Sequence, residues 1–118
     1  MDFTWDIRWE GGICTVVKQF HKLEGICCSK KTAKEAAAID ARLIHDISRT
    51  HGTFIVKIDL QGVKMRRSVY TFIKEGIRLQ PPRPHHTYVI NAPAWGTKVY
   101  AIVARWLSDE DKASVTVC

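Results

Sequence analysis

The chain reads as an α/β protein: a single domain with a mixed, mostly parallel sheet of about five strands, an N-terminal hairpin and three packed helices. Two chain events carry this reading. The apolar run from Thr53 to Leu60 stops on Asp59-Leu60-Gln61-Gly62, and Tyr88-Val89-Ile90 stops on Asn91-Ala92-Pro93; each is followed by a helical pattern. Parallel strands need a crossover, and a strand that breaks on Asp or Asn with Gly or Pro before a helix supplies one. A third observation sets the start: Phe3, Trp5, Ile7 and Trp9 alternate with polar residues, the period of a strand with one apolar face.

In order, Glu10-Gly11-Gly12 is a turn and the segment from Ile13 to Phe20 a second strand, which together predict a hairpin. His21 to Ser29 reads as loop. Thr32-Ala33-Lys34-Glu35 has the spacing of a capping box, and the helix over 32–50 puts Ala36, Ile39, Leu43, Ile44 and Ile47 on one stripe before Gly52. After the strand from Phe54 to Leu60, Val69, Phe72, Ile73 and Ile77 predict a helix over 65–80, ended by Pro81-Pro82-Arg83-Pro84. Tyr88 to Ile90 is a strand. Val99, Ile102, Val103 and Trp106 predict the inward face of a helix over 97–107. Ser108-Asp109-Glu110-Asp111 breaks it or starts one further turn, and Ser114 to Cys118 is a short last strand.

Composition bounds the function. At 118 residues there is one core; net charge is +6, with the cations scattered in short groups and no aromatic-interleaved basic strip, so nucleic acid is not an expected partner. No run of 18 apolar residues is present, and the N-terminus has neither signal-peptide nor transit-peptide character. Cys14, Cys27, Cys28 and Cys118 read as reduced thiols of an intracellular protein, in cytoplasm or mitochondrion.

Little looks catalytic. No nucleophile elbow surrounds Ser68, no phosphate-cradling glycine loop exists, and His85-His86 enter a strand rather than face one side of a helix. No metal site or cofactor is expected. Asp59 and Asn91 sit where α/β sheets place ligands, but their plainer role is to cap the backbone turns. Trp95, beside Gly96 at the mouth of a helix, is either packed or an exposed contact for protein or lipid.

The Asp-Leu-Gln-Gly and Asn-Ala-Pro strands, with a helix ending Arg105-Trp106-Leu107 and an Asp-containing turn, resemble the CRAL-TRIO lipid-transfer domain over roughly residues 50–118. The resemblance implies a gating helix from Thr97 to Leu107, with Lys98 or Arg105 meeting a phosphate. The whole chain also resembles a STAS domain of the anti-sigma-factor-antagonist type, which would make Ser68 a phosphosite.

The expected function is a non-enzymatic binding module. In the first reading it is an accessory or scaffold subunit that docks on proteins in a membrane-associated assembly, through Lys64, Arg66 and Arg67 and through Trp95 and Lys98. A small lipid-binding protein with a phospholipid ligand is the alternative, and a STAS-type phosphoswitch the second. The first reading rests on an expectation of packing: a domain of this size uses its apolar side chains in its own core and has few left to line a chamber.

Overall fold

The computed structural model describes residues 3–118. Strands β1 (Asp6–Glu10), β2 (Ile13–Gln19), β3 (Phe54–Asp59), β4 (His86–Ile90) and β5 (Val115–Val117) form one sheet in sequence order. β1 pairs antiparallel with β2 and all later pairs are parallel. The helices are α1 (Lys30–His51), α2 (Arg67–Arg78), α3 (Gly96–Ala104) and the short α4 (Asp109–Ala113). The predicted α/β class, hairpin and parallel crossovers are all present.

From β2 onward each crossover advances one strand in the same direction. Right-handed crossovers of that kind stack every helix on one face of the sheet. Register defines that face: Lys18, Ile58, Val89 and Val117 lie in one cross-strand row, and Val16, Val56, Thr87 and Val115 in the next. The opposite face carries Thr15, Ile55 and His86, with Lys57 paired to Glu10 across the hairpin.

The boundaries differ from expectation in ways the chemistry explains. The helix expected over 32–50 starts at Lys30, because Ser29 is the N-cap: its hydroxyl accepts from the Thr32 amide at 3.2 Å and Thr32 Oγ1 accepts from the Ser29 amide at 2.9 Å. Thr32 is the far partner of that box rather than its start, and Glu35 has no part in it. The expected loop from His21 to Ser29 begins as a 3-10 turn over Phe20–Gly25. α2 is shorter than 65–80 and α3 shorter than 97–107; Ser108, accepting from the Asp111 amide, caps α4 as a separate turn.

The alternating face of β1 also differs. Trp5 is buried and its indole N–H donates to Asp40, but Ile7 and Trp9 are 45% and 63% exposed. They flank the far end of α1, where Trp9 meets the edge of the His51 ring. β1 is the sheet edge.

The core lies between α1, α2 and strands β2 and β3. Ala33, Ala36 and Ala37 are fully buried, so α1 approaches the sheet closely beside Cys14, Val16, Leu23, Phe54 and Val56. Among the described residues no hydrophobic side chain after Phe72 is fully buried; Ile73, Val89, Ala92 and Trp95 only flank the core. That asymmetry leaves the other half of the domain loosely filled.

A chamber between the sheet and two helices

In that loosely filled half, between β3, β4, β5 and helices α2 and α3, lies a chamber of about 770 Å³ that opens to solvent. Its floor is the helix-side face of the sheet, Ile58, Val89, Val117, Thr87 and Val115. Phe72, Ile73 and Ile77 of α2 form one wall, and Val99, Tyr100 and Val103 of α3 the other. Trp106 and Leu107 close the end of α3, with Trp106 meeting the Tyr70 ring edge-on and lying under the Lys74 ammonium at 5.6 Å.

The expectation that the core uses up the apolar side chains is therefore wrong. The volume falls within the range of about 300–1,000 Å³ typical of small-molecule sites, and its lining is mostly apolar. A second hollow of about 240 Å³ lies beside Trp5, Ile7 and Ile47, below that size range.

Two charged pairs border the chamber. Lys18, on β2, lies 3.1 Å from Asp40 Oδ1 and donates to Oδ2 at 3.2 Å, with both side chains largely buried. Asp40 projects from the buried stripe of α1 and also accepts from the Trp5 indole, so both its oxygens are used. At the opposite corner Arg83 pairs with Glu110 at 2.8 Å and Asp111 at 3.0 Å. Sequence reasoning missed this arrangement. Asp40 gave one local signal, a carboxylate on the stripe of Ala36, Ala37 and Ile44.

The candidate contact residues lie outside the chamber. Lys98 is exposed on α3 and Arg105 at its C-cap, on one stripe with Ala101 and Ile102, so Ile102 faces outward against expectation while Val99, Val103 and Trp106 face in. Trp95 is half-buried against the core. Lys64, Arg66 and Arg67 are exposed at the start of α2, which follows the carboxyl end of β3 as Trp95 and Lys98 follow that of β4. The two groups lie at the same end of the sheet. Ser68 is half-buried in the first turn of α2, and Arg66 is the N-cap. Among the described residues no three His, Cys, Asp or Glu side chains converge as metal ligands would, and no helix is long and apolar enough to cross a membrane.

No protein-family model and no curated protein matches the chain. Among solved structures it is similar to the crystal structure of Sfh5, with a TM-score of 0.69 at 13% identity. The alignment covers 97% of this chain and 46% of that one, so the chain spans less than half the length of the Sfh5 chain. No comparison supports the STAS alternative; the fold is CRAL-TRIO-like.

Proposed function

We propose that the protein is a non-catalytic carrier that holds one small lipid in the chamber between the sheet and helices α2 and α3. The cavity of about 770 Å³ carries the reading, because apolar walls of this extent gain most by excluding water around an apolar guest. In this reading α3 is the gate. Its inner stripe lines the chamber, while its outer stripe presents Ile102, 40% exposed, between Lys98 and Arg105. In this reading those two cations meet the phosphates of a membrane surface during loading rather than those of the bound ligand.

Native mass spectrometry of the purified protein tests this. One lipid-sized adduct per chain, removed by organic extraction, is the expected result; a protein that stays empty after incubation with mixed-lipid vesicles contradicts it. The accessory-subunit reading draws its support from the β1 edge, where Ile7, Trp9 and Ile13 are exposed. It requires an empty protein that co-purifies with a larger complex.

A further inference from the structure

β1 ends the sheet with a free edge whose residue pattern is self-complementary. Among the described residues β1 pairs only with β2. Gly11 and Gly12 both hold positive φ, the mark of a two-residue type I′ turn, which bonds Glu10 to Ile13 through their backbones. Antiparallel alternation then turns the backbone groups of Asp6 and Arg8 toward β2 and those of Ile7 and Trp9 outward, unpaired. The side chains of Ile7 and Trp9 share the helix-side face with Val16 and Cys14, and Trp9 is the most exposed large apolar side chain among the described residues.

A second β1 laid antiparallel on this edge by a twofold axis must set outward residues against outward residues. Registers centred on Asp6, Arg8 or Glu10 set that charge against its own copy. One centred on Trp9 runs onto Gly11 and Gly12, whose left-handed backbone ends the extended chain. The register centred on Ile7 avoids both faults: it sets Asp6 against Arg8 of the second copy twice over, and Trp9 against Trp5 of the second copy. Opposite charges facing across strands stabilise the pairing, and like charges oppose it. Beside Trp5 lies the hollow of about 240 Å³, walled by Ile7 on the strand and by Leu43, Ile47 and His51 on α1, so the incoming indole meets a mostly apolar recess.

We infer that the protein forms a twofold homodimer through β1, which joins two sheets into one. Asp6 and Arg8 of each copy fix the register, and each Trp9 seats beside Trp5 of the other copy. The chamber borders β5, at the opposite edge of the sheet, so the dimer leaves it free. A foreign strand on the same edge would not account for this self-complementarity.

Sedimentation velocity of the purified protein at roughly 100 μM, enough to populate a micromolar association, is expected to show twice the 13.4 kDa chain mass. A monomer at that concentration overturns the inference and leaves the carrier reading standing. Arg8→Glu and Asp6→Lys each place like charges across the register, and each variant is expected to be monomeric. Both side chains reach solvent, so both variants are expected to unfold as the unaltered chain does.

Mixing the two variants decides the register. In the mixed dimer both contacts are again between opposite charges, so the mass of a dimer is expected to return. Two folded variants that stay monomeric when mixed, or that dimerise alone, overturn the inference. Trp9→Ser is expected to weaken dimerisation by roughly tenfold or more, the loss usual for a tryptophan seated in an interface. An unchanged dissociation constant would show that the indole is not seated, and overturns the inference as well.

Discussion

Asp59 and Asn91, at the carboxyl ends of adjacent parallel strands, are joined directly: the Asn91 side-chain amide donates to Asp59 Oδ1 at 3.0 Å. The same oxygen accepts the Gln61 amide at 2.9 Å, and Asn91 holds a positive φ of 55°. The residues that broke the two strands in the sequence thus tie the two breaks to each other. This latch fixes where α2 and α3, the chamber's two helical walls, leave the sheet.

The latch has a pH signature. The Asn91 hydrogen bond, opposed by burial and aided by the Gln61 amide and the nearby His21, holds the Asp59 carboxyl below its ordinary value. A carboxylate depressed in the folded state contributes stability above its unfolded pKa of about 3.9 and loses it as pH falls through the lower folded value. Asp59→Asn is therefore expected to lower the urea midpoint at neutral pH and flatten its fall below about pH 4. An acid limb as steep as that of the unaltered protein would contradict this.

Lys18→Met leaves the Asp40 carboxylate buried without its cation, and the expected loss is about 3–5 kcal/mol in urea unfolding. Adding Asp40→Leu should restore most of that. A residue of about 1–3 kcal/mol remains because the Trp5 indole N–H then lacks an acceptor. A double variant no more stable than the single would show that the pair is not the source of the loss.

The thiols divide by burial. Burial, helped by the neighbouring Cys28, pushes the Cys27 thiol up to about 11, and burial also raises Cys14. Thiolate is the reactive form, so brief iodoacetamide treatment of the folded protein should alkylate the exposed Cys28 and Cys118 and spare Cys14 and Cys27. Peptide mass mapping reads the outcome.

Gly76 lies inside α2 on the chamber wall, and a Cβ there meets no atom within 4 Å. Gly76→Ala is expected to stabilise the protein by about 0.5–1 kcal/mol through helix propensity, read as a higher melting temperature, without blocking ligand uptake.

How much of this was legible before the structure follows from range. Asp59-Leu60-Gln61-Gly62 and Asn91-Ala92-Pro93 are local signals, and the crossovers they announce are where they should be. The stripe of Val69, Phe72, Ile73 and Ile77 does face inward, but Phe72, Ile73 and Ile77 line the chamber as well as the core side. A hydrophobic period marks the side that avoids water and is silent on whether anything packs there. Lys18 and Asp40 are 22 positions apart, and only the fold reveals that each is the other's counter-ion. Ile102 carries no such signal either: an apolar residue beside an apolar stripe reads as part of it, and here it is exposed.

The most direct test of the central claim is a fluorescence titration with N-phenylnaphthylamine, an uncharged dye that brightens on leaving water, against the protein and its Val103→Trp variant. The chamber lies against Val103, and an indole there would intrude on it from the α3 side. Saturable one-to-one binding to the unaltered protein, weakened in a variant that still unfolds cooperatively, is the expected result. Undiminished binding by the folded variant, or no saturable binding at all, would contradict the claim that this space holds a guest.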